Sequence, residues 1–252
     1  MVWAIHLTQR EFLQESRESS DYNPVEMGAS VPHIDPEHFV ATVQPALECK
    51  DASKLLALLK SKWTGPQIIS ILRSGHEDAR KVAAVCLSLV GCDKCIKEIA
   101  PLLQDEDPVV NQLAEHAMWS IWFRGGTPEA NHQLARGAQA LGRRDTLHAI
   151  SHFDRAIQLS PNFSEAYNQR AIARFLLDDH ESSLADCKRA IELMPYHFGA
   201  WAGTGHNHAH LRRWRCAAES YERALAINPH MNAIREAVGE LREKLGQPNT
   251  LQ

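Results

Sequence analysis

Three stretches of equal length follow one another without a gap: "ANHQLARGAQALGRRDTLHAISHFDRAIQLSPNF" (130–163), "SEAYNQRAIARFLLDDHESSLADCKRAIELMPYH" (164–197) and "FGAWAGTGHNHAHLRRWRCAAESYERALAINPHM" (198–231), a period of 34. Gly137, Ala171 and Gly205 share one phase, Ala149, Ser183 and Ala217 a second, and Ala156, Ala190 and Ala224 a third. Phe153, Cys187 and Tyr221 form an apolar column, and Pro161, Pro195 and Pro229 close each unit. A fixed period of this length marks an array whose units cannot bury their apolar faces alone and must stack. Small residues at fixed phases let two antiparallel helices approach closely, while the column residue fills the space between repeats. Proline ends each second helix because it has no N–H to continue the ladder.

These three units resemble the tetratricopeptide repeat family. Two departures stand out: Gln133 occupies the place where Tyr167 and Trp201 supply the expected aromatic, and Arg136 and Arg170 stand where leucine is usual. After the third unit, "NAIREAVGELREKLG" (232–246) has apolar residues at helical spacing and reads as the capping helix such arrays need. The repeat domain is thus expected over 130–246.

Residues 36–124 are helical too, with a different period. "GPQIISILRSGHEDARKVAAVCLSLVG" (65–91) and "CDKCIKEIAPLLQDEDPVVNQLAEHAMWSIWF" (92–123) each read as helix, short acidic turn, helix. Ile68, Ile69 and Leu72 answer to Ile96, Ile99 and Leu103, and Asp107–Pro108 suits a helix start. This is similar to HEAT-like repeats, with 37–63 as a degenerate third unit. Residues 1–35 carry no sustained period and read as an acidic, disordered leader, and "RGGTPE" (124–129) as the joint between the arrays. The expected fold class is all-α, an α-solenoid.

Charge is distributed unevenly. Residues 1–50 hold eight acids against three bases, whereas 51–129 hold ten against nine and 130–252 thirteen against fifteen. A body so near neutral lacks the positive field that non-specific nucleic-acid binding requires, so no nucleic-acid partner is expected. No run approaches the length of a membrane span, and the opening "MVWAIHLTQREF" has no basic segment followed by an apolar one, so no secretory signal is expected. Six cysteines, most among apolar helical residues, suit reduced thiols and a cytoplasmic compartment.

Two local clusters carry possible chemistry. In "GHNHAHLRRWR" (205–215), His206 and His210 lie four apart on one helical face and His208 points elsewhere. Two imidazoles at that spacing could hold one zinc, but a structural site needs four ligands and no further ligand is pinned nearby. Arg212, Arg213 and Arg215 fall at the turn of the third unit. In "CDKC" (92–95), the spacing allows a lowered thiol pKa, yet neither a βαβ pattern nor a second cysteine pair accompanies it. A metal- or redox-responsive protein using His206/His210 or Cys92/Cys95 is the alternative reading. No GxSxG, phosphate-binding loop or HExxH is present, so no catalytic residue, metal or cofactor is expected. Trp119, Trp122 and Phe123 form an aromatic stretch suited to core packing.

The resemblance implies a partner-binding groove lined by the first helix of each unit. Carried over position by position, it comprises Leu134, Ala138, Leu141, Asn168, Gln169, Ile172, Phe175, Ala202, His206 and His210. Some arrays of the family clamp the terminal carboxylate of heat-shock chaperones with lysine, asparagine and arginine. The corresponding places here are Leu134, Ala138, Gln169, Gly199 and Gly203, with no cation among them. The expectation is a non-catalytic scaffold whose apolar groove takes a peptide or an amphipathic helix of another protein.

Overall fold

The computed structural model describes residues 34–246, and every regular element among them is helical. The chain divides into two compact units between Arg124 and Gly125.

The first unit begins with α1 (Pro36–Glu48), α2 (Ala52–Lys62), α3 (Gly65–Ile71) and α4 (Glu77–Val90). Short acceptor side chains set their starts. Asp35 accepts from the His38 amide at 3.0 Å and Asp51 from that of Lys54 at 3.0 Å, each satisfying a donor that a helix start leaves free. Asp35 is therefore part of the fold, and Ile34 beside it is buried. That shortens the expected disordered leader by two residues; residues 1–33 lie outside the described residues. Helix α4 is central: Val82, Ala83, Cys86 and Leu87 are all buried, and it packs against α1, α2, α3 and α6 (Pro108–Trp122).

The segment before α6 departs from the expected single helix. It runs as a 3₁₀ turn (Asp93–Cys95), α5 (Ile96–Ile99) and a second 3₁₀ stretch (Ala100–Gln104). Pro101 explains the break, since it cannot donate the i→i−4 bond an α-helix needs there. Helix α6 starts as expected, with Asp107 accepting from the Val109 amide at 2.7 Å and Pro108 in the first turn. Lys81 holds the Asp107 carboxyl down to about 2, and Arg80 grips Asp105 through two nitrogens at 3.0 and 3.3 Å. Trp122 is fully buried and packs edge-on against Trp119. Arg124 closes the unit by donating to the carbonyl of Ser88 at 2.5 Å, and burial lowers its guanidinium to about 10. The expected joint is therefore shorter, since Thr127 already caps the next helix.

The second unit holds three helix pairs among the described residues: α7 (Pro128–Gly142) with α8 (Thr146–Leu159), α9 (Ser164–Phe175) with α10 (His180–Leu193), and α11 (Phe198–His210) with α12 (Trp214–Ile227). A last helix, α13 (Asn232–Gly246), packs on α12 through Ile234, Val238 and Leu241 against Tyr221 and Ala224. Helices α8, α10 and α12 begin at 146, 180 and 214, and α9, α11 and α13 at 164, 198 and 232, so the sequence period is the structural period.

The phases also find physical partners. A Cβ at Gly137 would lie 2.3 Å from the Phe153 ring, and one at Gly205 2.3 Å from that of Tyr221. The aromatic column residue thus closes on the glycine of its own helix pair, not solely between repeats. In the middle pair, Ala171 and Cys187 take these places, a larger residue with a smaller one. Each turn inside a pair places a residue in the left-handed region at one phase: Arg144, Asp178 and Arg212, with φ of 63°, 59° and 57°. Tyr167 and Trp201 tie each new pair to the loop before it, donating to the carbonyls of Pro161 at 3.2 Å and Pro195 at 3.0 Å.

Candidate functional site

The first helices of consecutive pairs touch one another, α7 with α9 and α9 with α11. Their face was expected to carry the groove, and the expected residues fall into three groups. Leu134 and Ala202 are buried in the unit's core and present no surface. Asn168 is also buried. With Gln169 it faces inward, donating to the Glu165 carboxylate at 3.3 and 2.6 Å. Leu134, Ala202 and Asn168 are thus covered by the protein itself, while Gln169 is half-buried. Ala138 and Leu141 are half-buried.

The third group is what the fold brings together. Phe175, half-buried at the end of α9, lies among three imidazoles. Its centroid is 4.8 Å from that of His210, 5.2 Å from His180 and 6.2 Å from His206. His180 and His210 are 4.8 Å apart. The same-face spacing of His206 and His210 directs both at this ring, as i, i+4 geometry requires. Hydrogen bonds hold the set in place. His206 Nδ1 is 2.8 Å from the Tyr221 hydroxyl, and His180 Nδ1 is 3.2 Å from Asn207 Oδ1. Buried Asn207 donates in turn to Ser183 Oγ at 2.8 Å, and Ser183 donates to the Ala171 carbonyl. His208 points the other way, with its Nδ1 buried and unpaired.

Beside this cluster runs an apolar strip. Ile172 is 40% exposed, Leu176 59% and Leu177 45%. Ile172 and Leu176 are four apart on α9 and its C-terminal edge, one helical face. Helical spacing gives no assignment to His180, Leu176 and Leu177, because they sit in or just beyond a turn. Among the described residues, no group of three or more His, Cys, Asp or Glu side chains is arranged to hold a metal ion. No helix among them is long and apolar enough to cross a membrane.

Behind the face lie two polar networks. His197 Nε2 is 2.8 Å from Glu165 Oε2, both side chains fully buried, while His197 Nδ1 accepts from the Ala200 amide. That assignment places the imidazole proton on Nε2, donating to the carboxylate. Arg170, at a position where leucine was expected, grips the buried Asp186 through two nitrogens at 2.8 and 2.6 Å and reaches Asp154 at 2.6 Å. Arg174 adds a third donor to Asp186 at 2.8 Å. Burial opposes the charge on Arg170, but the two carboxylates outweigh it and raise its pKa.

The histidines give a pH dependence with a definite sign. Burial holds His116, His152, His206 and His208 below the ordinary imidazole value, and His210 lowers His206 further. Groups that resist protonation when folded take up more protons on unfolding, so stability rises with pH through that range. Thermal melts should therefore show a constant midpoint above about pH 7.5 and a decline toward about pH 5.5, since the unfolded imidazoles protonate near 6.5. His206→Asn should flatten that decline; a midpoint that rose on acidification would contradict the assignment.

No family model matches the chain. It is 27% identical over 149 residues to a TPR repeat-containing protein of Rhizobium etli, covering 59% of this chain and 73% of that one. It is 25% identical over 122 residues to small glutamine-rich tetratricopeptide repeat-containing protein 2 of Mycosarcoma maydis, covering 48% of this chain and 35% of that one. The chain thus spans about a third of that second relative's length. Among solved structures, the Sgt2 TPR domain from Aspergillus fumigatus aligns at a TM-score of 0.47 and 22% identity, over 49% of this chain and 83% of that one. The chain is thus similar to tetratricopeptide-repeat proteins over about half of its length, and every regular element among its described residues is helical.

Proposed function

We propose that residues 130–231 form a non-catalytic scaffold of three tetratricopeptide repeats that binds the apolar face of an amphipathic helix from another protein, in the cytoplasm, and that residues 36–124 form a separate HEAT-like unit. The observation that carries this reading is the exposed strip of Ile172, Leu176 and Leu177 beside the half-buried Phe175. Large apolar side chains left in water at helical spacing offer i, i+4 anchor points for a helix laid alongside. The imidazoles of His206 and His210 then border the anchor, and Ala138 and Leu141 extend the face along α7. No cation stands at the five clamp positions, which supports an apolar ligand over a terminal carboxylate.

Selection of helical peptides from a displayed library against the full chain would test this, followed by affinity measurements on variants. An aromatic anchor of this kind contributes about 2 kcal/mol, so Phe175→Ala should weaken the selected peptide roughly thirtyfold. Ile172→Glu should weaken it comparably, and both variants should melt cooperatively. Selected peptides that bind Phe175→Ala and Ile172→Glu at full affinity would place the binding face elsewhere.

A further inference from the structure

Outside the repeat face, the 3₁₀ turn Asp93–Cys95 brings two thiols together in a way that the scaffold reading does not use. Cys92 Sγ and Cys95 Sγ are 3.9 Å apart, and the Cys92 amide donates to Cys95 Sγ at 3.5 Å. Cys92 is half-buried and reachable, whereas Cys95 is buried beneath it. We propose that Cys92 and Cys95 form a reactive dithiol, oxidised to an intramolecular disulfide by low-molecular-weight disulfides of the glutathione type, with Cys92 attacking and Cys95 resolving.

The two sulfurs differ in the manner such a division of labour requires. Cys95 donates its S–H to Cys92 and so pulls the Cys92 thiol down to about 6, against the opposing effect of burial; the proton it shares raises Cys95. Asp93 acts weakly against the Cys92 thiolate, and Lys94 favours it through its backbone amide. The other buried thiols are set apart, since desolvation drives Cys187 up to about 12 and Cys86 upward as well. Thiolate, not thiol, is the attacking species.

The chemistry balances without a further reagent. The Cys92 thiolate attacks one sulfur of glutathione disulfide, forming a Cys92–glutathione bond and releasing one glutathione thiolate. Cys95 loses its proton, to the released thiolate or to water, and its sulfur attacks Cys92 Sγ. The second glutathione leaves with the electron pair of the broken bond. The protein thiols lose two electrons in all, and the disulfide is reduced to two glutathiones. The closing step requires the sulfurs to approach from 3.9 Å to bonding distance, a side-chain rotation within one turn.

The test uses the full reduced chain with glutathione disulfide, an acid quench and peptide mass spectrometry. The wild type should give a Cys92–Cys95 disulfide, two hydrogens lighter, without accumulating a glutathione adduct on Cys92. Cys95→Ser should trap that adduct on Cys92, and Cys92→Ser should abolish the disulfide. A second measurement is independent of closure: near pH 5.5, iodoacetamide should modify Cys92 roughly tenfold faster than a single-cysteine peptide, because thiolate fraction outweighs lost nucleophilicity there. Circular dichroism melts establish that each variant is folded. Adduct that persists on wild-type Cys92, or alkylation of Cys92 no faster than the peptide, would overturn the proposal. Neither result bears on the repeat face.

Discussion

Gly205→Leu should cost about 3 kcal/mol and abolish the cooperative melt of the repeat unit at physiological temperature. Even a methyl at Gly205 would stand 2.3 Å from the Tyr221 ring, inside van der Waals contact, and leucine adds three more carbons on the same line. Tyr221 has little freedom to retreat: it is buried in the cluster of Ala217, Ala224, Ile234 and Val238, and its hydroxyl is hydrogen-bonded to His206. Helix propensity acts the other way, favouring alanine over glycine by about 1 kcal/mol. Gly205→Ala therefore separates the two effects. Alone it should destabilise, because the ring contact outweighs propensity. In a Tyr221→Cys background it should stabilise, since the middle pair already places Ala171 opposite Cys187. Urea unfolding of the four proteins measures the coupling; equal effects of Gly205→Ala in both backgrounds would show that the ring is not the obstacle.

His197→Leu should be of similar or greater severity, about 4 kcal/mol. Leucine fills most of the volume but leaves the Glu165 carboxylate buried without its imidazole partner. Leaving a buried carboxylate short of one of its donors typically costs about 3 kcal/mol. The α11 start also loses its cap, worth about 1 kcal/mol. The remaining donors, Asn168 and Gln169, satisfy the carboxylate only in part. The first repeat suggests the repair. Its equivalent positions hold Asn131 and Phe163, an apolar residue where the second carries His197. Glu165→Asn with His197→Phe should recover more than half of the loss, because no charge is then left buried. If the double variant is as unstable as the sum of its parts, the pair is not the source of the effect.

The repeat half of this fold is legible in its sequence because period reports equivalence. Residues 34 apart occupy equivalent places, so the spacing alone gives the helix pairs, the closing prolines and the small-residue phases where helices touch. Even the left-handed turn positions Arg144, Asp178 and Arg212 obey it. The first unit is less legible at Pro101, where a helical hydrophobic pattern continues through a residue that cannot keep the α ladder.

The candidate site was legible only in part. Helical spacing puts Ile172 with Phe175 on one helix face and His206 with His210 on another, and the structure places both imidazoles beside the Phe175 ring. It cannot tell which neighbours are covered: Leu134 and Ala202 fall on the expected face, yet both are buried. His180 arrives from another helix altogether.

The array can be read from the chain alone: helix pairs at one period, their turns, and the contacts that every repeat makes alike. The contacts that one repeat makes alone emerge in the folded molecule. Glu165 meets His197 across 32 residues and Arg170 meets Asp186 across 16. At the equivalent positions of the flanking repeats stand Asn131 and Phe163, Gly199 and Met231, Arg136 and His152, and Thr204 and Ser220, which repeat neither pair. Burying an apolar surface is non-directional and averages over a period, whereas a buried charge requires one partner at one distance. Such a partner is chosen by where the folded helices bring it, and no spacing in the chain records that choice.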